Sequence, residues 1–248
     1  MRLEGKVAVI TGAARGFGAG IAEVFGREGA RLALIDIDGD GVERLAKQRS
    51  DNAIAFAADV TKAEDWSRAV RACVERFGRL DIVANNAGTS HRNQPLLDVS
   101  EEEFERVFAV NVKSIYLSAQ AAVPVMRKQG SGVFINIGST AALRPRPGLA
   151  WYNGSKGAVH LISRSMAVEL APDKIRVCVI APVAGDTPLL ATFMGEDTPQ
   201  RRAAFLATVP LGRFSTPADV ANAALFLASD DAGFLTGNVV EVDGGRCV

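Results

Sequence analysis

The chain has 248 residues, of which 48% are hydrophobic and 23% are charged, which is the composition of an ordinary globular protein long enough to bury its own core. Its 28 lysines and arginines balance its 28 aspartates and glutamates, so it lacks the charge excess of proteins that bind nucleic acid or an anionic membrane. No apolar stretch approaches the roughly 18 residues of a membrane span, and Val7–Ile10 is too short for the core of a signal peptide.

Short β-branched runs alternate with helix-length amphipathic segments along the chain. The predicted strands are Val7–Thr11, Arg31–Asp36, Ala53–Ala57, Ile82–Ala84, Val133–Ile137, Ile175–Ile180 and Val239–Val242. The predicted helices are Gly18–Glu28, Lys62–Arg76, Glu101–Lys128, Lys156–Leu170 and Pro217–Ala228. Strands that are apolar on both faces and separated by helices are typical of a parallel sheet covered on both sides. The sequence therefore predicts one α/β domain over residues 1–248, with a doubly wound parallel sheet of seven strands.

Three of these helices are preceded by residues that cap helix N-termini. Thr61 precedes Glu64 at the spacing of a capping box, and Ser100 precedes a first turn rich in glutamate. Thr216 is followed by Pro217, which suits the first helical position. These signals predict where the three helices begin.

The turn between the first strand and the first helix is rich in glycine. It reads Thr11-Gly12-Ala13-Ala14-Arg15-Gly16-Phe17-Gly18, so its glycines are spaced G-x-x-x-G-x-G. Positions without side chains let the backbone N–H groups at a helix N-terminus approach a pyrophosphate. Because the loop joins a strand to a helix, it indicates a dinucleotide site rather than a plain tight turn.

An acidic residue follows this loop at the spacing that is typical of a dinucleotide site. Asp36 ends the second predicted strand about 20 residues after Gly16, where a carboxylate accepts hydrogen bonds from an adenosine ribose. A phosphate on that ribose would bring about −1.5 to −2 charges against the carboxylate. Arg15 can pair with such a phosphate, or with Asp36 itself. On balance the sequence favours NAD over NADP.

A serine, a tyrosine and a lysine are candidates for the chemistry. Ser139 follows the fifth strand, and Tyr152 and Lys156 are spaced to share one face of the next helix. A lysine charge about 4 Å from the phenol is worth roughly 4 kcal/mol at an effective dielectric near 20, which lowers a tyrosine pKa of about 10 by up to about three units. Tyr152 can then exchange a proton with an alcohol or ketone while hydride moves to or from a nicotinamide. Ser139 would hydrogen-bond the reacting oxygen.

Taken together, these motifs resemble the short-chain dehydrogenases/reductases, in their branch with a single Rossmann domain. The resemblance extends from Thr11 to the terminal Val242-Asp243-Gly244-Gly245. It rests on the Thr11–Gly18 loop, Asp59-Val60, Asn85-Asn86-Ala87-Gly88, Asn111, Ser139, Tyr152 and Lys156. It implies a doubly wound Rossmann sheet and a nicotinamide-dependent oxidoreductase.

The resemblance also implies roles for individual residues. Asp59 and Val60 would hold the adenine, and Asn111 would steady a water that links Lys156 to solvent. The cofactor would contact Gly12, Arg15, Gly16, Phe17, Gly18, Asp36, Ile37, Asp59, Val60, Asn86, Ala87, Gly88, Tyr152, Lys156, Pro182, Val183, Gly185 and Thr187. Val183 departs from the family, which usually has glycine after this proline, while Thr187 can still hydrogen-bond the nicotinamide carboxamide.

Two polar segments are candidates for substrate recognition. Arg144 and Arg146 are held between prolines and lie close to Trp151 and the catalytic tyrosine, an arrangement suited to an anionic or sugar-like substrate. His91 and Arg92 follow the Asn-Ala-Gly turn and are expected at the same mouth. Alternatively, the arginines are solvated or pair across a subunit contact. A further histidine, His160, falls in a mostly apolar helix and is predicted to be packed rather than catalytic.

Residues 183–210 interrupt the alternation of strands and helices. The segment is rich in proline, has weak periodicity and is long for an ordinary connection. An irregular insertion after a central strand is where a substrate lid would lie, whereas the alternative is a surface helix pair with a packing role.

The number and spacing of the cysteines indicate the cellular compartment in which the protein works. Cys73, Cys178 and Cys247 are odd in number and far apart, which predicts reduced thiols in the cytoplasm. No cluster of cysteine, histidine and carboxylate residues has metal-ligand spacing, so no metal is expected.

The leading functional hypothesis is an oxidoreductase that transfers hydride between NAD(H) and a secondary alcohol, hemiacetal or ketone, with a sugar, polyol or small anionic carbonyl compound as substrate. The alternatives are an NADPH-dependent 3-oxoacyl-carrier reductase, against which Asp36 argues, and a non-catalytic dinucleotide sensor, against which the complete set of serine, tyrosine, lysine and asparagine argues. The resemblance implies a homotetramer built on two long helices and the last strand. The apolar faces of Gly157–Leu170 support this expectation.

Overall fold

The computed structural model describes residues 1–49, 52–187 and 189–248. Its strands are β1 Val7–Thr11, β2 Arg31–Asp36, β3 Ala53–Ala57, β4 Ile82–Asn85, β5 Gly132–Ile137, β6 Ile175–Pro182 and β7 Val239–Val242. Its α-helices are α1 Gly16–Arg27, α2 Gly39–Lys47, α3 Ala63–Phe77, α4 Glu101–Phe108, α5 Ser114–Gln129, α6 Ala150–Leu170, α7 Leu190–Met194, α8 Pro199–Leu206 and α9 Pro217–Ala228. All seven predicted strands are present, with bounds that differ by at most a few residues.

The strands form one sheet in the order β3-β2-β1-β4-β5-β6-β7, and all neighbouring strands are parallel. This order confirms the predicted doubly wound Rossmann fold. From β1 the chain adds β2 and β3 on one side of the sheet, and from β4 it adds β5, β6 and β7 on the other side. The loops that follow β1 and β4 therefore run away from each other. A crevice at the carboxyl ends of the strands results, and such crevices are where ligands bind in this kind of sheet.

The sheet is buried on both faces, which explains why its central strands are uninterrupted apolar runs. In β1, Ala8 and Ile10 pack on one face while Val7 and Val9 pack on the other, and all four are fully buried. Helices α1 and α9 cover the first face and pack against each other, whereas α3, α5 and α6 cover the second. Burial of an aliphatic side chain contributes about 1.5–3 kcal/mol, so these two layers hold the sheet and its loops in place.

The helices differ from the prediction in several places, one of which is that α6 begins at Ala150 and not at the predicted Lys156. Helix α2 was not predicted, because Gly39 and Gly41 are poor helix formers, but Asp38 caps it by accepting a hydrogen bond from the Gly41 N–H (2.9 Å). The predicted long helix Glu101–Lys128 is divided into α4 and α5 by a π-helical turn at Ala109–Lys113.

The helix starts agree only in part. Ser100 and Thr216 each form a capping box, with Glu103 and Asp219 respectively. The capping box predicted at Thr61 is wrong. Lys62 is the N-cap of α3 and has no side-chain cap, because the Thr61 hydroxyl donates to Asp59 instead (2.8 Å).

Residues 183–210, apart from the undescribed Pro188, form an annex beyond the carboxyl end of β6 that contains α7 and α8. The annex has its own apolar cluster, with Val183, Leu190, Met194, Phe205 and Val209 as its buried members. The tail that follows β7 packs against it, since the N–H of Leu211 donates to the carbonyl of Gly244 (3.0 Å). The annex and the tail therefore cover the same end of the sheet.

Candidate functional site

A cleft of about 710 Å³ opens at the carboxyl ends of the central strands. Twenty of the predicted site residues line it, namely Gly12, Arg15, Gly16, Phe17, Asp36, Ile37, Asp59, Val60, Asn86, Ala87, Gly88, Ser139, Arg144, Arg146, Tyr152, Lys156, Pro182, Val183, Gly185 and Thr187. The other five predicted residues, Gly18, His91, Arg92, Asn111 and Trp151, lie outside its lining. The cleft thus joins the predicted nucleotide loops to the predicted catalytic group.

The glycine loop has the geometry of a phosphate-binding turn. Gly12 and Gly16 have φ angles of +64° and +57°, a region that favours glycine. A Cβ at Gly18 would lie 2.1 Å from the carbonyl oxygen of Gly12, so Gly18 allows the helix to approach the loop. Helix α1 has no side-chain cap and no acidic residue in its first turn, which leaves the positive end of its dipole open to an anion. These features fit a pyrophosphate.

Asp36 is fixed at the edge of the cleft by backbone donors. Its two carboxylate oxygens accept hydrogen bonds from the N–H groups of Ala14 and Asp38, both at 3.0 Å. The alternative pairing between Asp36 and Arg15 is not formed in the structure, although both residues line the cleft. The carboxylate is therefore held where an adenosine ribose would lie.

The loop after β4 is tied to the glycine loop by side-chain hydrogen bonds. The Thr11 hydroxyl accepts from the N–H groups of Asn86 and Ala87, both at 3.0 Å. The Asn86 amide donates to the carbonyls of Thr11 (2.8 Å) and Gly12 (3.1 Å). These bonds set the distance between the two walls of the crevice.

The departure of Val183 from the family pattern is accommodated by the sheet. Its N–H donates to the carbonyl of Val242 (3.1 Å), which continues the pairing of β6 with β7. This N–H is consequently not directed at a nicotinamide carboxamide, and Thr187 remains in the cleft to meet that group. Gly185 is needed beside them, since a Cβ there would lie 2.4 Å from the ring of Phe17.

Ser139, Tyr152 and Lys156 come together at the inner end of the cleft. Tyr152 and Lys156 are each only 5% exposed, and Tyr152 shares a side-chain hydrogen bond with Ser139. Lys156 Nζ donates to the carbonyl of Ile137 (2.8 Å) and lies 6.0 Å from the centroid of the Tyr152 ring. The three side chains predicted to carry the chemistry therefore share one buried pocket.

The predicted pKa shift of the tyrosine is wrong in sign. Burial raises the pKa of Tyr152 to about 12, and the hydrogen bond with Ser139 only partly opposes the rise. Burial also lowers the pKa of Lys156 to about 8. Desolvation disfavours the charged form of each group, and the lysine is bonded to a backbone carbonyl rather than to the phenol.

Asn111 lies in the π-helical turn, one layer behind the cleft. Its Oδ1 accepts from the N–H of Thr89 (2.8 Å), and its Nδ2 donates to the carbonyl of Thr89 and the hydroxyl of Ser155, both at 2.9 Å. A Cβ placed on Gly88 would lie 3.4 Å from Asn111 Oδ1 and 3.5 Å from Lys156 Nζ. Glycine at this position thus leaves open space beside both polar groups.

Three residues expected to contact substrate have structural roles. His91 is buried, and its Nε2 accepts a hydrogen bond from the N–H of Tyr152 (3.4 Å). Arg92 donates to the carbonyl of Gly195 (3.2 Å) in the annex. Trp151 donates to the carbonyl of Leu96 (3.2 Å) and is about one-third exposed on the surface. Sequence proximity to the site did not reveal these orientations.

His160 is packed, as predicted, and also supports Ser139, the serine predicted to be catalytic. Its Nε2 accepts a hydrogen bond from the backbone N–H of Ser139 (3.4 Å). Burial, followed by the nearby charges of Lys156 and Arg164, lowers its pKa to about 4. A neutral imidazole therefore holds the start of the loop after β5.

Arg144 and Arg146 line the cleft at its predicted substrate end, together with Arg246, which the sequence did not single out. Arg144 donates to the backbone carbonyl of Arg246. The guanidinium groups of Arg146 and Arg246 lie 4.6 Å and 5.0 Å from the centroid of the Phe205 ring. Arg246 directly follows the terminal Asp-Gly-Gly motif, and only its position in the tertiary structure distinguishes it from a solvated terminal residue.

A carboxylate–thiol group near the C-terminus was not expected from sequence spacing. Donor atoms of Glu241, Asp243 and Cys247 lie within 4.8 Å of one another. The Asp243 oxygens already accept from the N–H groups of Gly245 (2.9 Å) and Cys247 (2.7 Å). Burial and the neighbouring Asp243 raise the pKa of the Cys247 thiol to about 11, which disfavours the thiolate that a metal would need.

The helices give no sign of membrane insertion. Across the part of the chain that the structure describes, no helix is both long and apolar enough to cross a bilayer.

Comparison with known proteins connects this geometry to an enzyme family. Residues 12–246 match a family model described as enoyl-(acyl carrier protein) reductase. The chain is 48% identical to 4-formylbenzenesulfonate dehydrogenase TsaC1/TsaC2 of Comamonas testosteroni, over 99% of both chains. It is 37% identical to 3-oxoacyl-[acyl-carrier-protein] reductase FabG of Thermotoga maritima over the full length of both. A crystal structure of 3-ketoacyl-(acyl-carrier-protein) reductase from Brucella melitensis complexed with NADH superposes with a TM-score of 0.94 at 46% identity, covering 99% of this chain and 100% of that one.

Proposed function

The chain belongs to the short-chain dehydrogenase/reductase family and is an oxidoreductase for CH–OH-type substrates, and we propose that it transfers hydride between NAD(H) and a secondary alcohol, hemiacetal or ketone. The observation that carries the proposal is that Ser139 lies beside the buried Tyr152 and Lys156 at one end of a cleft whose other end holds the glycine loop and Asp36. A dinucleotide in such a cleft would present its nicotinamide to the catalytic group.

NAD(H) fits the residues at the nucleotide end. The open N-terminus of α1 suits the pyrophosphate, and the Asp36 carboxylate suits two ribose hydroxyls rather than a ribose phosphate. A structural neighbour complexed with NADH supports this choice. When bound, the cofactor supplies the hydride donor or acceptor. Asp59 and Val60 would hold its adenine, and Lys156 and Thr187 would hold the nicotinamide end.

Tyr152 is the proposed acid and base. In the reductive direction its Oη donates a proton to the carbonyl oxygen, while the Ser139 hydroxyl donates a hydrogen bond to the same atom. A pKa of about 12 keeps Tyr152 protonated and ready for this step near neutral pH. In the oxidative direction Tyr152 must first lose its proton, and the ammonium of Lys156 favours the resulting phenolate. Asn111 and Lys156 both have polar atoms beside Gly88, which supports the proton path through a water that the family resemblance implies.

The annex is proposed as the lid of the substrate end. Phe193 from α7 packs edge-on against the Tyr152 ring, with centroids 4.8 Å apart, and Phe205 from α8 lines the same cleft. Closure of the annex over a substrate would exclude water from the reacting atoms. The apolar cluster of the annex also gives it the packing role of the alternative interpretation.

A 3-oxoacyl-carrier reductase is the second candidate, because two of the named relatives carry that description. A 48% identical relative named for an aromatic sulfonate instead supports a small anionic substrate. The acyl-carrier reductase is expected to prefer NADPH, but the relative of that description from Brucella melitensis is complexed with NADH, so the substrate that is turned over separates the two candidates.

We also propose a homotetramer that works in the cytoplasm. Large apolar side chains are exposed on both long helices, including Tyr116 (60%) on α5 and Leu161 (66%) and Val168 (80%) on α6. These faces would be covered by partner subunits. All three cysteines are free thiols, which suits a reducing compartment.

The test is nicotinamide turnover across matched alcohols and ketones, with NAD(H) and NADP(H) compared directly. We expect turnover with NAD(H), and we expect Tyr152→Phe to abolish it while NADH binding is retained. A preference for NADP(H) would favour the acyl-carrier reductase. Full turnover by Tyr152→Phe would refute the mechanism, and binding without any turnover would favour the sensor.

A further inference from the structure

The substrate end of the cleft contains three arginines that no carboxylate neutralises. Within the described residues, Arg144, Arg146 and Arg246 take part in no ion pair. Arginines nearby on the annex behave differently, since Arg201 pairs with Glu196 (3.2 Å) and Arg202 pairs with Asp197 (2.6 Å). In this respect the three arginines differ from the ion-paired arginines of the adjoining annex.

Their polar atoms are also poorly satisfied within the protein. Arg246 is only 6% exposed, and its guanidinium donates to the hydroxyl of Thr208. Arg144 donates to a backbone carbonyl, and the guanidinium of Arg146 has no hydrogen-bond partner among the described residues. A guanidinium has five N–H donors, so most of the donors in this group remain available to a ligand.

The nearest acidic residue does not fill this role. Both oxygens of Asp243 accept from backbone N–H groups in the terminal turn, from Gly245 (2.9 Å) and Cys247 (2.7 Å). The pKa of Arg246 is lowered, first by burial and second by the charge of Arg144. The charge of Asp243 raises this pKa, but its effect is the smaller one. Burial and then the charge of Arg246 lower the pKa of Arg146. Arg146 and Arg246 thus hold positive charge in a partly desolvated site, a condition that a bound anion relieves, whereas Arg144 is exposed.

The space between this charge and the catalytic tyrosine is apolar and partly aromatic. Ala141, Leu149 and Phe193 pack around Tyr152, and Phe205 lies beneath the guanidinium groups of the arginines. These walls suit a flat apolar body and offer it aromatic contacts. A ligand that spans the cleft would have its reactive carbon at Tyr152 and a charged group at the other end.

We propose that Arg144, Arg146 and Arg246 form an oxyanion subsite that selects aromatic secondary alcohols or ketones bearing a carboxylate or sulfonate remote from the reacting carbon. This inference rests on the proposed function and deepens it, because it assigns the substrate class of the same cleft. Arg246 places the chain's terminal segment in the substrate site, 100 residues and more from the other two arginines.

The first test is binding without turnover. Calorimetry would compare 4-acetylbenzoate, 4-acetylbenzenesulfonate and the neutral isostere 4-acetylbenzamide, in the presence of NAD⁺ so that the ketones cannot be reduced. We expect at least one anion to bind about tenfold or more tighter than the amide, because charge-assisted hydrogen bonds are the stronger ones. Equal affinities for all three ligands would overturn the proposal.

The second test removes the charges one at a time. We expect Arg146→Gln and Arg246→Gln each to lower kcat/KM for the preferred anion by about 10- to 100-fold, with much smaller effects on the amide. Arg202→Gln is the matched control, since Arg202 also lies over an aromatic ring, Phe214 at 5.7 Å, but is ion-paired and outside the cleft. Unchanged NADH affinity and thermal stability would show that the variants are folded.

The outcomes separate the two proposals. Anion-selective binding that depends on the arginines, but without redox turnover, would retain the subsite and reject the proposed function. Turnover with NAD(H) but no preference for anions would retain the function and reject the subsite. A preference for anions that survives both substitutions would also reject it, because the charge would then be bound elsewhere.

Discussion

His160 should make the stability of this protein depend on pH below neutrality. Its ring is 7% exposed, and its Nε2 accepts the N–H of Ser139 at 3.4 Å, so the bonded form is a neutral ring protonated at Nδ1. Burial is the main reason that its pKa falls to about 4. Protonation of Nε2 would place two donors opposite each other and displace the loop that carries Ser139.

The size of the effect follows from proton linkage. Because the folded pKa is about 4 and the unfolded pKa is about 6.5, the unfolded chain binds the proton first as the pH falls. The stabilising contribution is therefore present above pH 6.5 or so and is lost progressively toward pH 4. Between pH 7 and pH 5 the loss amounts to about 2 kcal/mol in the free energy of unfolding per chain, as a ceiling.

Urea denaturation at pH 7 and pH 5, at one protein concentration, measures this loss. His160→Gln keeps a side-chain acceptor for the Ser139 N–H but cannot titrate. Between pH 7 and pH 5, the free energy of unfolding of this variant should therefore fall by up to about 2 kcal/mol less than that of the wild type. His91→Gln is the control, because it removes the other histidine and keeps His160. An equal fall in the wild type and in His160→Gln would refute the reasoning.

Three further changes address the nucleotide end and the fold. Gly18→Ala should weaken NADH binding at least about tenfold in a fluorescence titration, because its Cβ would lie 2.1 Å from the Gly12 carbonyl; unchanged affinity would contradict this. Asp36→Asn should raise the ratio of kcat/KM for NADP(H) over NAD(H) by about tenfold, by removing a charge from the ribose site. Thr216→Ala should lower the free energy of unfolding by about 1 kcal/mol, since it breaks the capping box with Asp219; a urea titration without a shift would oppose that account.

The parallel sheet could be predicted because its signal is local. Each central strand is an apolar run, as in Val7–Thr11, since both faces are covered and no polar alternation is needed. Helix α2 escaped prediction because the cap at Asp38 and packing against the sheet overcome two glycines near its start. The π-helical turn at Asn111 was also hidden, because the apolar periodicity continues through it and only tertiary bonds to Thr89 and Ser155 reveal its use.

The pKa of Tyr152 shows a second limit of sequence reasoning. Spacing correctly brings Tyr152 and Lys156 to one face of α6, and from this the charge interaction was expected to dominate. Desolvation dominates instead, because both side chains are 5% exposed and Lys156 is bonded to the Ile137 carbonyl. Burial depends on what the rest of the chain packs against the helix, which no local pattern records.

The same contrast separates the two halves of the cleft. The nucleotide half is built from short motifs at strand ends, such as Thr11–Gly18, whose backbone geometry is encoded by adjacent residues. The substrate half is assembled from the loop after β5, the annex and the C-terminal tail, which meet around Phe205. Arg146 and Arg246 acquire a shared role only through that meeting. Substrate selection by these arginines therefore depends on tertiary contacts between distant segments rather than on a local sequence motif.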